Sequence, residues 1–395
     1  MCSIFTSLLI VTILINAESV SLAPKANFGA KIVDAVMGSP LYYHIVKQAR
    51  YTMIKTAESI GVDWEKLKLA LLSSMADEST WDETVLSIKS ENPSCVTPDY
   101  FEARFHGYEC GNLCIDAALE QELAGKAVGA RNFPQFGRDA ENEFRRRYDD
   151  QLRRLGAFVP VGGSVLDLGS GTGTSTRRLA ALFPQADSVL GVDLSPHMIA
   201  VGRQLRHLED VSGFEWVDDQ DTSYQGYLVA RDKVRYVYGD MANLHTLGIE
   251  GASVDLVSLC LIIHEMPVDA ILATVKEAYR VLKPGGQLTI MEMDPESPGF
   301  AKLRSNPVLF SLVRSTEPYL DVYFDFAPRL PRELQKVGFN LVRISAATGR
   351  HFVICATKSV AGSGGVLDVR PAGEARAADD QHVHTSVTDV TKAWG

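Results

Sequence analysis

Positive charge is in short supply: 39 Lys and Arg stand against 49 Asp and Glu, a formal net charge of -10. That leaves no basic stripe of the kind that holds a phosphate backbone, so nucleic acid is not an expected partner. Cysteine is scarce, with 6 in 395 residues. Loss of a leader carrying Cys2 would leave Cys95, Cys110, Cys114, Cys260 and Cys355, an odd set that is no disulfide framework. Long apolar runs are missing after the first residues. Only Ser3 to Ile15, "SIFTSLLIVTILI", is uncharged, and it is short for a bilayer span. A cleaved entry signal is the expectation, with an uncleaved anchor or a bipartite organelle leader as alternatives. The mature chain is expected to be soluble or peripheral.

What remains is an ordinary globular composition, 46% hydrophobic and 22% charged, enough for one or two domains. Four segments are expected: a leader over 1–24, a helical region over 25–155, an α/β domain over 156–358, and a disordered tail over 359–395 that holds His382 and His384. In the helical region Tyr42, Ile45, Ala49, Met53 and Ala57 fall at helical spacing before a stop at Gly61. Residues 112–133 and 139–158 give two more helices. The second sets Glu141, Glu143, Asp149 and Asp150 four residues before Arg145, Arg147, Arg153 and Arg154, which reads as self-paired solvated surface. In "HGYECGNLC", a helix would align His106, Cys110 and Cys114 as a partial metal set. No second Cys or His pair follows at finger spacing, so these are read as buried thiols and no metal is expected.

After Pro160 the pattern alternates short β-branched runs with helical stretches, the mark of a parallel sheet with crossover helices. Strands are expected at 164–169, 188–194, 234–240, 254–263 and 287–294, with "KPGG" stopping the helix before the fifth. The last two, at 340–348 and 351–358, form a hairpin that adds an antiparallel edge. The acidic insert at 209–233 is longer than a usual connection.

Ligands in open α/β sheets bind beyond the carboxyl ends of the strands. The first strand ends in Asp167, followed by Gly169, Gly171 and Gly173. A dinucleotide fingerprint needs Gly three residues after the second glycine, and Thr174 stands there, so the fingerprint fails. An acid before alternating glycines repels a pyrophosphate and attracts a cationic, phosphate-free group. Asp193, about 20 residues on, is placed for ribose hydroxyls. Asp240 suits an adenine amino group and Met241 its ring. Each acid alone is explained as a helix cap; three in register are not.

These stretches, "VLDLGSGTG", "VLGVDLSPHMIAVGR", "YGDM", "VDLVSLCLIIHEMP" and "RVLKPGGQLTIME" in that order, resemble a class I S-adenosylmethionine-dependent methyltransferase of the small-molecule group that includes the ubiquinone and menaquinone biosynthesis enzymes. The resemblance runs from 163 to 295 and more loosely to 358. It implies a Rossmann-like, doubly wound, mostly parallel seven-stranded sheet with an antiparallel final strand, and S-adenosylmethionine as cofactor. It further implies that Asp167 and the loop Gly169, Ser170, Gly171, Thr172 and Gly173 hold the methionine portion. Asp193 would hold the ribose, Leu194 and Met198 the adenine, Asp240 and Met241 its amino edge, and Leu259 would offer backbone contacts.

The fourth strand lacks the motifs of DNA amino or cytosine methyltransferases, and Cys260 reads as core. His264 and Glu265 are the polar pair nearest the acceptor position. His264 is a candidate base, and a loop-stabilising role is the equal alternative. Tyr148, with Phe144, is a candidate to close over the cofactor. The 209–233 insert, the helical region and residues 297–326, with Tyr319 and Tyr323, are candidate lids. The expected function is methyl transfer to a small, lipophilic acceptor oxygen or carbon. A non-catalytic scaffold and, less favoured, an NAD(P)-dependent oxidoreductase are the rivals. A weak likeness upstream to plastid-associated methyltransferases adds the plastid to the secretory pathway as an expected destination. The acceptor and the oligomeric state stay open.

Overall fold

In the computed structural model, residues 41–74, 78–207 and 231–360 are described. The leader, the insert up to 230 and the tail with His382 and His384 lie outside the described residues. The β-branched runs form seven strands: β1 Ser164–Leu168, β2 Ser188–Asp193, β3 Val234–Tyr238, β4 Val254–Cys260, β5 Leu282–Met293, β6 Phe339–Ala346 and β7 His351–Lys358. They lie in the order β3-β2-β1-β4-β5-β7-β6. β1 to β5 are mutually parallel, and β7 is antiparallel to both β5 and β6. The hairpin therefore inserts its second arm into the sheet, and β6, not the antiparallel strand, is the edge. β5 also begins before the expected 287, because "KPGG" forms an irregular start to the strand instead of a separating turn.

Every residue of β4 is buried, as a central parallel strand requires. Alternation sorts its side chains between two cores: Leu256 and Cys260 join one, Val257 and Leu259 the other. Twelve helices flank the sheet among the described residues: α1 Leu41–Ser59, α2 Trp64–Ser73, α3 Glu78–Glu91, α4 Ile115–Asn132, α5 Ala140–Arg154, α6 Thr174–Leu182, α7 Pro196–His207, α8 Val268–Val281, α9 Pro298–Arg304, α10 Pro307–Thr316, α11 Leu320–Phe326 and α12 Leu330–Val337. α8 shows why such segments dock: Ile271, Val275, Ala278 and Val281 recur at the helical period and are all buried. α2 starts where the Asp63 side chain accepts from Lys66 N.

The N-terminal helices are cemented to the sheet. Trp64, Leu71, Trp81, Ile88, Leu119 and Leu123 share one continuous core with Leu179, Ile199 and Val201 of the α/β part. Residues 297–326 become α9 to α11. Tyr323 is fully buried with its hydroxyl donating to Met293 O at 2.6 Å, and Tyr319 stays half-buried beside Tyr100. No helix of the described residues is long and apolar enough to cross a membrane.

Two sequence expectations are corrected here. Residues around Cys110 form turns, not a helix, and Cys110 is disulfide-bonded to Cys114. The charge pairing on α5 is also different. Arg147 does pair with Glu143, but Asp149 is buried and bonds Arg178 at 2.5 Å, while Asp150 takes Arg146 and Arg153. Arg145 keeps its expected ion pair with Glu141 at 3.8 Å and also reaches inward, its Nη1 3.5 Å from Cys260 Sγ. Burial of one helix flank, which residue spacing cannot show, decides these pairings. Breaking the disulfide by Cys110→Ser should cost about 2 kcal/mol by loop-closure entropy alone. A thermal midpoint lowered by a few degrees, and reproduced by reductant on the native chain, checks it.

Candidate functional site

The turn after β1 carries Gly169, Gly171 and Gly173 at φ of 71°, 54° and 98°, so each needs the left-handed region that glycine alone enters freely. Space is as demanding as backbone. A Cβ on Gly173 would lie 2.1 Å from Tyr236 Oη, and one on Gly171 2.3 Å from Gln121 Nε2. The turn closes on itself electrically. Gly169 N and Ser170 N both donate to Val192 O, Gly171 N donates to Asp193 Oδ2, Thr172 N to Gln121 Oε1, and Gly173 N to Ser170 O. No amide from 169 to 173 is left to cradle a phosphate.

Carboxylates surround the turn. Asp167 is fully buried, and its Oδ2 accepts from Ser175 Oγ at 2.7 Å and Thr176 Oγ1 at 2.6 Å, placing negative charge at the start of α6. The Ser170 hydroxyl is buried without a hydrogen bond. Burial raises the Asp167 pKa against the hydroxyls of Thr176, Ser175 and Ser258. Asp193 accepts from Gly171 N and Ser195 N, both at 2.8 Å, and burial pushes it up to about 6 in spite of them. Asp240, past β3, accepts from Ala242 N at 2.8 Å and is also raised by burial. Tyr100, raised chiefly by burial, feels both Asp240 and Asp193. Leu194, Met198, Met241 and Leu259 are buried at or near these strand ends. Met198 belongs to one core and Met241 and Leu259 to the other.

The donor set fits an S-adenosylmethionine-type ligand. Buried acceptor atoms with unused capacity suit an ammonium or sulfonium group and nucleoside hydroxyls, and the spent amides disfavour phosphate. A cation that the sequence reading placed on the surface also enters: Arg145 feels the charges of Cys260, Glu141, Glu122 and Asp167.

The helical layer supplies the other side. Glu122 on α4 is buried and pairs with Arg177 at 2.7 Å. It also accepts from Thr172 Oγ1 at 2.7 Å and Thr174 Oγ1 at 2.9 Å, while Arg177 Nη1 donates to Thr172 O. Arg177 and these hydroxyls hold Glu122 below the usual carboxylate range against burial. Asn112 O accepts from Ser195 Oγ at 2.5 Å, tying the layer to the turn after β2.

Beyond β4 the chain places a second charged group. His264 Nδ1 lies 2.9 Å from both oxygens of Glu292, which is wholly buried on β5. Burial pulls the imidazole pKa down, but Glu292, then Glu317 and Glu265, outweigh it and lift it to about 9. Glu292 fixes the ring through Nδ1, an arrangement that serves a base at Nε2 as well as it serves a loop-stabilising histidine, the two roles the sequence offers. Glu265 accepts from Asn112 Nδ2 at 3.0 Å and faces His106, which also faces Glu317. Tyr148 does not close over the cleft. Its hydroxyl lies 3.3 Å from Ser258 and 3.2 Å from Thr289 inside the core, and Phe144 packs edge-on against His351. Cys260 is core, its thiol pushed up to about 12 by burial.

Asp167, the glycine turn and Asp193 are thus brought together, joined by Gln121, Glu122, Arg177, Asn112, Arg145 and Tyr100, none of which was expected. One signal was available: Glu120 and Glu122 interrupt the apolar run "AALEQEL" at positions that a buried helix face must satisfy.

A parallel sheet with carboxylates beyond its adjoining strands, and a glycine turn closed to phosphate, defines a Rossmann-like nucleoside-binding domain of the methyl-donor type. Comparison with known proteins agrees: residues 165–286 match the methyltransferase domain family. Residues 165–286 are thus a methyltransferase domain of the class I S-adenosylmethionine-dependent type. An arsenite methyltransferase of Aquipseudomonas alcaligenes is 33% identical over 150 residues, 38% of each chain. A demethylmenaquinone methyltransferase of Staphylococcus saprophyticus is 26% identical over 242 residues, 58% of this chain and 89% of that one. The chain thus spans well under half of the first relative's length and most of the second's. A solved SAM-dependent methyltransferase from Aquifex aeolicus aligns at 17% identity with a TM-score of 0.35, covering 53% of this chain and 88% of that one. That likeness is too loose to bear on function.

Proposed function

We propose that this protein transfers the methyl group of S-adenosylmethionine to a small, lipophilic acceptor at oxygen or carbon. The observation that carries the reading is the pairing of a phosphate-closed turn with buried carboxylates: Gly171 N is spent on Asp193 and Thr172 N on Gln121, while Asp167 sits at the start of α6. That arrangement selects a cationic nucleoside and rejects a diphosphate. The bound cofactor supplies a methyl group on a sulfonium, electrophilic enough to transfer without metal or acid activation of the donor.

The chain's own residues place the reactants. Asp167 would hold the ammonium and sulfonium end of the cofactor, Asp193 the ribose hydroxyls and Asp240 the adenine amino group. Tyr100 and Tyr319, edge to face with ring centroids 6.3 Å apart, offer an apolar wall beside the cleft. Holding acceptor and donor in line accounts for roughly 7 to 11 kcal/mol of barrier reduction at best. His264, its ring oriented by Glu292, serves as the base for the acceptor proton or as the brace of the loop after β4.

Between the acceptors named for the relatives, sulfur chemistry supports carbon or oxygen. Arsenic in its trivalent state favours soft thiolate ligands. Here Cys110 and Cys114 are joined and Cys260 and Cys355 are buried, so Cys95 is the one half-exposed free thiol among the described residues, and a single thiol is no chelating set.

S-adenosylhomocysteine at about 100 times its Kd should stabilise the native chain by about 2.7 kcal/mol, and NAD by nothing measurable. A thermal shift with NAD alone sinks the reading in favour of an oxidoreductase. Binding of S-adenosylhomocysteine with no labelled methyl passed to any small-molecule extract favours the scaffold.

A further inference from the structure

We infer that His106, Glu265 and Glu317 bind one divalent cation, of the kind that accepts an imidazole nitrogen and two carboxylate oxygens, at the edge of the cleft beyond β4. Their ligand atoms all lie within 4.8 Å of one another. His106 Nε2 is 3.2 Å from Glu317 Oε1 and 3.5 Å from Glu265 Oε1. Two donors bound to one tetrahedral zinc ion stand about 3.3 to 3.6 Å apart, given ligand bonds of about 2.0 to 2.2 Å. Both His106 separations are close to that spacing, and the two carboxylate oxygens lie within 4.8 Å of each other.

The neighbours set His106 in the form a metal needs. Asn112 Nδ2 donates to Glu265 Oε2, so its Oδ1, 3.3 Å from His106 Nδ1, accepts from that nitrogen. Nε2 is then the nitrogen that faces the two carboxylates, and either a proton or a metal ion held there makes the contact attractive. Fixing the second ring nitrogen in this way is how proteins orient ligating histidines. The Cys110–Cys114 disulfide brackets Asn112 and holds it in place.

One carboxylate oxygen of the set also has capacity to spare. Glu317 Oε2 is buried with no hydrogen bond, and its distance of 4.0 Å to His264 Nε2 is too long for one.

Backbone strain points to the same place. His106 has φ of 54°, a conformation that costs a non-glycine residue energy and persists where surroundings enforce it. Here the His106 amide donates to Thr316 O at 2.9 Å, locking the residue to the end of α10 beside Glu317. The imidazole keeps 39% of its side chain exposed, which gives an ion its entry path. Three protein ligands leave at least one position for water or an acceptor oxygen, whose proton the ion would make easier to lose. That last role rests on the methyl-transfer reading. Ion binding does not.

The test uses the full chain, stripped with a chelator and titrated with Zn2+, Mn2+ and Mg2+ by calorimetry. One Zn2+ or Mn2+ per chain is expected, with Mg2+ much weaker. His106→Ala and Glu317→Gln should each weaken the tighter ion by tenfold or more, while circular dichroism stays native. Should either variant fail to fold, Co2+ on the native chain gives the answer: intense visible bands of a four- or five-coordinate site are expected. No stoichiometric ion on the native chain, affinity unchanged in both variants, or the weak spectrum of aqueous cobalt would each overturn the proposal. None of these readouts involves methyl transfer, so a failed ion site and a failed methyltransferase reading are separate results.

Discussion

Glu122→Ala should lower the unfolding free energy by about 3 to 5 kcal/mol, because it removes the carboxylate that compensates the buried Arg177 guanidinium. Glu122 also accepts the hydroxyls of Thr172 and Thr174, so the substitution leaves two further polar groups to find new acceptors. The damage falls on the glycine turn itself. Thr172 carries both a bond to Glu122 and the amide that Gln121 accepts, so affinity for S-adenosylhomocysteine should fall with stability. Urea titration followed by circular dichroism reads the loss. The double substitution Glu122→Met with Arg177→Met separates charge from packing: if an uncompensated charge dominates, the double variant regains much of what the single one lost. A double variant as unstable as the single one would assign the effect to packing between α4 and α6.

Local chemistry was legible and distant partnership was not. The first four strands fell where alternating apolar runs placed them, since a buried parallel strand is written in consecutive residues. The glycine turn was legible for the same reason: Asp167, Gly169, Gly171 and Gly173 sit within seven residues, and their φ values follow from having no Cβ. The position of β7 between β5 and β6 was not. Two adjacent runs announce a hairpin, but which arm pairs with β5 is settled by the two-sided burial of His351 to Ala356 against the half-exposed β6. The helical layer hid its contribution more deeply. Thr172 meets Gln121 and Glu122 across about fifty positions, and Glu265 meets Asn112 across 153. No periodicity links such residues. The apparent charge ladder on α5 misled for a related reason, since intrahelical spacing gives every acid a partner four residues on. Burial then awarded Asp149 to Arg178 and turned Arg145 toward Cys260.

Asp193→Asn should weaken S-adenosylhomocysteine binding by about 3 kcal/mol, roughly 100-fold, since hydrogen bonds to a charged acceptor are worth about 1.5 to 3 kcal/mol each and the ribose offers two. Asparagine is chosen over alanine because it keeps one oxygen to accept from Gly171 N or Ser195 N, which limits collapse of the turn. The pH dependence carries the sharper sign. Burial pushes the Asp193 carboxyl up to about 6, above the usual carboxylate value. Its neutral form therefore favours the free folded state, and the stability it contributes is present below about pH 4 and lost as pH rises through about 6. A ligand that binds the ionised form reverses this trend. Affinity should rise about tenfold per pH unit below about 6 and level off above about 7, with up to one proton released per ligand bound across that window. Calorimetry in two buffers of different ionisation enthalpy reads the released proton. Asp193→Asn should abolish both the slope and the proton while leaving weak binding. A slope that survives the substitution would move the titration to Asp167 or Asp240 and remove Asp193 from the ribose.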